Sequence, residues 1–361
     1  MPNPLQAALR VVLPHIVPFR GCASCPARPL PLSRRRAYGP APNFPVDAVY
    51  TWVDGSDTAL VAKRAAYLPP EKQTTAVAQG TALFRDNDEL RYSLRSLERY
   101  APWIRRIFIV TDGQTPSWLD TGNQKIRVVD HGEIIPAQYL PTFSSRVIEA
   151  FLHHIPHLAE HYVYFNDDVF LASPCEPRDF FTPNGLPHIF TDWRRPRRVS
   201  YQRSATPHTR SHVNTRRYME ERGLTPAPAL ITAHGPFPQT KTNARDTANF
   251  FDEAIRVFCR DKFRSFRGMV FYCHMAPLWA YASRRAVPCD LPYYYINTKR
   301  LDRQAYYKAL LREAGDAPLL FYCLNDAADS REYIGWHDDM AVFLRARYPH
   351  PSAFELSGGG L

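Results

Sequence analysis

A chain of 361 residues that is 45% hydrophobic and 22% charged can bury a large core, as one large domain or two, and is neither disordered nor fibrous. The formal net charge of +10 favours acidic partners: nucleotides, nucleic acid, anionic lipid or anionic glycans. The basic clusters Arg34-Arg35-Arg36 and Arg194-Arg195-Pro196-Arg197-Arg198 are not interleaved with aromatics, so nucleic acid is not an expected partner.

Residues 1 to about 44 carry Pro, Arg and small residues without periodicity and are expected to form a peripheral tail. The stretch from Leu5 to Val17 is interrupted by Arg10, Pro14 and His15 and lacks a cleavage site, which makes it a poor signal peptide. Cys22-Ala23-Ser24-Cys25 has no second pair nearby and reads as incidental; the other five cysteines are scattered, which points to reduced thiols. No apolar run approaches the ~20 residues of a membrane-spanning helix.

Order begins near Val46. The run Asp47 to Val53 predicts a strand, closed by the turn Asp54-Gly55-Ser56-Asp57. A helix follows Asp86-Asn87-Asp88, whose side chains are good caps; Leu90, Leu94 and Leu97 form its apolar stripe, with Arg91, Arg95 and Arg99 on another face. Buried strands are predicted at Arg106 to Thr111, Ile126 to His131 and Tyr162 to Phe165, with a helix over Arg146 to Ile155. Helical pattern returns from Ala248 to Arg260, and a last strand-like run, Leu319 to Leu324, ends in Asn325-Asp326.

Alternating strands and helices predict an α/β fold, Rossmann-like or GT-A-like, with a largely parallel sheet flanked by helices and a Pro/Arg-rich insertion. The expected division is a tail to residue 44, one domain over 45–356, and a short tail over 357–361. Within the domain, 172–228 would be an insertion or lid between the parts 45–171 and 229–356.

The most informative tripeptide is Asn166-Asp167-Asp168, at the end of a buried strand. Alone it is an ordinary strand-ending turn. In a parallel sheet, however, the carboxyl ends of the strands share one edge, where ligands bind. Asp54, Asp57, Asp112, Asp167 and Asp168 can converge there. Such oxygens suit a hard cation, Mg²⁺ or Mn²⁺, that also takes phosphate oxygens.

The residues also match a family. Asp47 to Asp57 resembles its first block. Phe84 to Ser96 begins the second, which continues through Ala101-Pro102-Trp103, Ile109 to Gln114 and Leu140-Pro141-Thr142-Phe143-Ser144-Ser145 to Asn166-Asp167-Asp168. Ala233-His234-Gly235-Pro236-Phe237-Pro238 with Phe263-Arg264-Ser265 resembles the third, and Cys323-Leu324-Asn325-Asp326 with Tyr348 to Glu355 the fourth. The chain thus resembles Stealth-family hexose-1-phosphoryltransferases. It departs from that pattern at Gly268, where an acid is expected.

The resemblance implies transfer of hexose-1-phosphate from a nucleotide sugar, usually a UDP-sugar, to a hydroxyl of an acceptor glycan, with release of UMP, in capsular or exopolysaccharide biosynthesis. It implies a bacterial cytoplasmic location; peripheral contact with the membrane or with capsule-synthesis machinery is left open. His234, Arg264 and Asp168 are the expected catalytic residues, His234 as general base or as a nucleophile forming a phosphohistidine. Asp54, Gly55, Asp57, Arg91 and Asp112 are expected at the substrate. Asp167, Asp168, Asn325 and Asp326 are expected at the metal. Trp52 is expected in the core, Ser144 and Ser145 as helix caps, and His274 as a packing residue. Two rival readings are a GT-A-type glycosyltransferase releasing UDP and a non-enzymatic basic protein that binds glycan or nucleic acid.

Overall fold

The computed structural model describes residues 41–68, 84–191, 207–225, 232–291, 293–300, 302–312, 319–326 and 334–357. The expectations for residues 1–40 and for the Arg194–Arg198 cluster fall outside them.

Strand β1 (Val46–Thr51) is followed by α1 (Thr58–Tyr67), α2 (Glu89–Tyr100), β2 (Ile107–Thr111), β3 (Ile126–Asp130), the short α3 (His131–Ile134) and α4 (Ser145–Phe151). Then come β4 (His161–Asn166), β5 (Val169–Leu171), α5 (Pro177–Phe180), β6 (His188–Thr191) and α6 (Pro207–Glu221). The last part holds β7 (Phe237–Thr240), α7 (Lys241–Phe250), α8 (Asp252–Phe258), α9 (Ala276–Ala282), β8 (Val287–Asp290), β9 (Tyr294–Asn297), α10 (Arg303–Arg312), β10 (Phe321–Asn325) and α11 (Trp336–Arg347).

The main sheet has the order β3-β2-β1-β4-β7; its first four strands are parallel and β7 is antiparallel to β4. Apolar side chains alternate between its faces: Ala48 and Tyr50 enter one buried cluster with Leu90, Leu94 and Leu97 of α2, and Val49 enters the other with Val147 of α4 and Leu278 of α9. A sheet covered on both faces needs strands apolar throughout, as β2 is, all five residues of which are buried. Register pairs Thr51 with both Asn166 and Val110, so the carboxyl ends of β1, β2 and β4 lie level.

The mixed α/β architecture with a mainly parallel central sheet is as the sequence predicts. Four details differ. The last strand does not join that sheet: β10 pairs antiparallel with β5 and parallel with β9 in a separate three-stranded sheet. The Asn166-Asp167-Asp168 turn leads the chain out of the main sheet into this second one. Residues 172–191, read from composition as lid, are partly core: Phe180 and Phe181 are almost wholly buried, with Cys175 and Phe190. The helix expected from Ala248 divides at Phe251, which is fully buried between α7 and α8. The caps of α2 are not as expected, for Asp88 adopts φ 68° and its carboxylate makes no capping bond. Among the described residues no helix is long and apolar enough to cross a membrane. The five described cysteines, Cys175, Cys259, Cys273, Cys289 and Cys323, form no disulfide with one another.

Candidate active site

The end of β4 is held by a chain of hydroxyls and amides. Thr51 Oγ1 lies 3.0 Å from the Tyr164 hydroxyl, which donates to Asn166 Oδ1 at 2.8 Å. That contact orients the Asn166 amide, so its Nδ2 points at His234 Nε2, 3.1 Å away. His234 reaches this place from the loop before β7. Gly235 lets the loop press on β10, because a Cβ there would meet the Phe321 ring at 2.1 Å. The Ala233 N–H donates to Phe190 O at 2.8 Å and fixes the other side of the loop.

Asp168 joins the two sheets. Its carbonyl accepts from Leu324 N–H at 2.9 Å, which lays β10 beside it. Its Oδ2 accepts from Cys323 Sγ at 3.3 Å and from Asn325 Nδ2 at 3.4 Å. Its Oδ1 is buried without a hydrogen bond and lies 3.7 Å from His234 Nε2. Asp168, His234 and Cys323 each offer a ligand-type atom, all within 4.8 Å of one another. Asp167 accepts the Asp168 N–H at 3.1 Å.

Acids crowd the side of the site toward α2. Enclosure, then the charges of Asp168, Glu89 and Asp86, push the Asp167 carboxyl well above its ordinary range. Burial pushes Glu89 up to about 8 and Asp86 up to about 6. Carboxyls that hold protons near neutrality for want of a positive neighbour suit a cation site, and the orphaned Asp168 oxygen fits one as well. At His234, enclosure opposes the charged form, but Cys323, Asp168 and Cys273 around the ring outweigh it and raise the pKa well above the usual value.

A second cluster, on α4 and the loop around residue 265, is basic. Arg264 Nη2 donates to Ser145 Oγ at 2.8 Å, and Arg146 Nη1 donates to the Ser265 carbonyl at 2.9 Å, so the two segments clasp each other. Glu149, buried one turn along α4, accepts weakly from Tyr272 N–H at 3.3 Å; burial pushes it up to about 7, with Arg264, Arg146 and His234 opposing. At Gly268 a Cβ would meet Arg146 Nη1 at 2.6 Å. The Arg146 guanidinium thus occupies the room beside the position where the resemblance leads one to expect an acid.

Several expected substrate residues are engaged by other parts of the protein. Asp57 caps α1, accepting from Ala59 and Leu60 N–H at 2.7 and 3.1 Å. Asp112 pairs with Lys63 at 2.8 Å. Arg91 is neither a solvated helix residue nor open to a phosphate: it is 9% exposed and pairs with Glu355 at 2.8 Å and Asp88 at 3.4 Å. Asp326 is engaged by Lys299 at 2.6 Å and Arg85 at 2.8 Å, away from Asp168. Asp54 and Gly55 form a turn pinned by backbone contacts. Gly55 N–H donates to Phe84 O at 2.7 Å, where a Cβ would lie 2.1 Å from that oxygen, and Gln114 brackets Asp54 at 3.1 and 2.9 Å. Trp52 is core, as expected, and His274 packs at 5% exposure with Nδ1 bonded to Ser211. Ser144, at the N-cap of α4, makes no side-chain capping bond.

Sequence reasoning missed Cys323, Arg146, Glu149 and the amide role of Asn166. Cys323 and Asn166 stood inside the singled-out motifs, where the neighbouring acids drew the attention. Arg146 stood in a predicted helix next to Ser145 with no pattern to distinguish it.

Comparison with known proteins gives two family-model matches, Stealth protein CR1, conserved region 1, over residues 44–69 and Stealth protein CR2, conserved region 2, over residues 83–189. The chain is 35% identical to the capsular polysaccharide phosphotransferase fcs1 of Haemophilus influenzae, over 83% of each protein. It is 32% identical to the capsular polysaccharide phosphotransferase LcbA of Neisseria meningitidis, over 84% of this chain and 83% of that one. It is 36% identical to the exopolysaccharide phosphotransferase SCO6023 of Streptomyces coelicolor over 86% of its own length, but spans only 52% of that relative. A solved structure of mouse xyloside xylosyltransferase 1 covers 79% of this chain and 99% of its own with a TM-score of 0.38 and 13% identity, too distant to carry any inference.

Proposed function

The chain belongs to the Stealth family, and on that premise we propose that it transfers hexose-1-phosphate from a UDP-sugar to a hydroxyl of an acceptor glycan, with release of UMP, in capsular or exopolysaccharide biosynthesis. The observation that carries the reading is the position of His234 Nε2, 3.1 Å from the Asn166 amide and 3.7 Å from Asp168 Oδ1, at the carboxyl ends of the parallel strands.

Cys323, Asp168 and Cys273 favour the imidazolium; the Asn166 Nδ2, which can only donate, opposes them at Nε2 and favours the lone pair that a base requires. That nitrogen takes the proton of the acceptor hydroxyl as its oxygen bonds to the β-phosphorus. The bond from that phosphorus to the bridging oxygen breaks, and UMP departs with the electron pair. The bond from the sugar C1 to its oxygen stays intact, so anomeric configuration is kept. Arg264 offsets charge on the transferred phosphoryl oxygens.

A divalent cation, Mg²⁺ or Mn²⁺, would be held by Asp168 and Asp167, with the Asn325 side chain at its flank, and would neutralise the diphosphate. Asp168 would then exert less pull on the His234 proton. Asp54 and Gly55 would shape the nucleotide side of the crevice.

His234→Ala tests the role. Turnover should fall by ~10²–10⁴-fold, the range of a lost general base, with UDP-sugar affinity and melting temperature nearly unchanged. A change in KM alone would reduce His234 to a positioning residue. With β-³²P-labelled UDP-sugar and no acceptor, a base leaves the protein unlabelled; acid-labile label on the wild type would show a phosphohistidine.

A further inference from the structure

We propose that Asp168, His234 and Cys323 form a site for a thiophilic divalent cation, Zn²⁺ above all, and that its occupation switches the transferase off. The switch rests on the transfer reaction above; the site itself does not.

Three kinds of donor meet here, a carboxylate, an imidazole and a thiol, with ligand atoms all within 4.8 Å of one another. Asp168 Oδ2 is 3.3 Å from Cys323 Sγ, and Asp168 Oδ1 is 3.7 Å from His234 Nε2. Donors at zinc bond lengths on a tetrahedron stand roughly 3.3–3.7 Å apart. Both contacts of the carboxylate already have that spacing. The imidazole and the thiol, at most 4.8 Å apart, reach it with a shift of about 1 Å. The cation takes the place of the thiol proton that Cys323 gives to Asp168. Asp168 Oδ1 is buried without a hydrogen bond, so the carboxylate has a lone pair left to give. The side chains of His234 and Asp168 are 27% and 17% exposed, so an ion can enter, and the fourth tetrahedral position falls to water.

The donor set chooses the ion. Mg²⁺ takes oxygen ligands and sheds water reluctantly, whereas imidazole and thiolate suit Zn²⁺. Mg²⁺ would therefore use the oxygens of Asp168, Asp167 and the diphosphate, and Zn²⁺ the mixed set. Asp168 belongs to both, so the two ions exclude each other. Zinc binding is an exchange. Burial, then the charge of Asp168, keep the Cys323 thiol protonated; a cation between them reverses that balance, and the proton leaves for solvent. Where His234 carries a proton on Nε2, that proton leaves as well, and the metal displaces the Asn166 amide from the same nitrogen. Because protons are released, affinity rises with pH. The metal then holds the lone pair with which His234 would take the proton of the acceptor hydroxyl.

The test uses the full chain with Cys22→Ser and Cys25→Ser, which silence the CxxC pair, stripped of metal and titrated with Co²⁺ as a coloured stand-in for Zn²⁺. Thiolate-to-cobalt charge-transfer absorption should appear in the near ultraviolet and vanish when Zn²⁺ displaces Co²⁺. Cys323→Ser should abolish that absorption and weaken Zn²⁺ binding at least ~10-fold, the least that even an outer partner of a metal ligand contributes. His234→Ala, which removes the nitrogen ligand, should weaken Zn²⁺ binding by the same measure; it answers the question should Cys323→Ser fail to fold. With UDP-sugar, acceptor and fixed Mg²⁺, added Zn²⁺ should suppress UMP release, and more Mg²⁺ with donor should restore it. No thiolate absorption, or absorption unchanged in folded Cys323→Ser, overturns the proposal. So does full turnover in the zinc-saturated protein. Because the titrations need no turnover, absorption that depends on Cys323 in a protein that never releases UMP would sink the transferase reading and leave the metal site standing.

Discussion

Asn166 Nδ2 lies 3.1 Å from His234 Nε2, and the Tyr164 hydroxyl bonded to Asn166 Oδ1 at 2.8 Å keeps the amide from turning over. A side chain that ends a strand therefore presents a donor to the ring nitrogen of a loop residue 68 positions later, against the pull of Cys323, Asp168 and Cys273 toward the imidazolium. Asn166→Asp would place a carboxylate at that nitrogen and favour the imidazolium. The acid limb of kcat/KM against pH should move up by about one unit or more, with activity at neutral pH reduced. An unmoved acid limb would mean that Asn166 does not address the working nitrogen.

Asp168 Oδ1 is a buried acceptor without a hydrogen bond. Asp168→Asn should lower kcat by at least ~10²-fold, the effect of one missing stabiliser of transition-state charge. EDTA should abolish turnover and Mg²⁺ or Mn²⁺ restore it. Full activity in chelator would remove the metal from the mechanism.

Glu355 is gripped by Arg91 at 2.8 Å and Arg95 at 2.7 Å, and its side chain is 4% exposed. These arginines draw their partner from the far end of the chain and tie α2 to the segment after α11. Glu355→Ala strands two positive charges and should cost about 3 kcal/mol of stability, the low end for breaking a buried pair. Urea denaturation would measure it. In the fraction that stays folded, the KM for donor should not change; a selective rise in donor KM would return Arg91 to the substrate.

Burial, then the charges of His154, Lys241 and Arg245, push the His153 imidazole down to about 3. Its folded-state pKa lies below the unfolded value of about 6.5. The unfolded state therefore binds the extra proton, and the stability associated with neutral His153 is present above pH 6.5 and lost as pH falls toward 3. His153→Gln removes this term. The melting temperature of the variant minus that of wild type should rise steadily from pH 7 to pH 4. A difference independent of pH would show that His153 charges in the folded protein.

The four parallel strands of the main sheet were legible because they are largely apolar and lead into acid-containing turns; a strand such as Ile107–Thr111, buried throughout, leaves little choice of structure, whereas the antiparallel β7, Phe237-Pro238-Gln239-Thr240, carries no such pattern and was not predicted. Asp168 and His234 were legible as candidates because motif residues flank them. Partnership was not legible. Arg91 and Asp112 look alike in sequence as polar residues near the edge, and only the fold shows Glu355 and Lys63 answering them. Nor did composition show that Phe180 and Phe181, in a proline-rich stretch, lie in the core. The pairing of Arg146 with the space at Gly268 joins residues 122 apart, one from a helix and one from a loop, with no local pattern linking them.

The nucleotide released tests the proposed reaction most directly. The protein is incubated with a panel of UDP-sugars, Mg²⁺ and an acceptor glycan, and the nucleotide product is identified by chromatography. Phosphoryl transfer by His234 and Asp168 predicts UMP, formed in step with the appearance of phosphodiester in the glycan. UDP together with a phosphate-free glycosidic product would contradict it and make the protein a sugar-transferring enzyme.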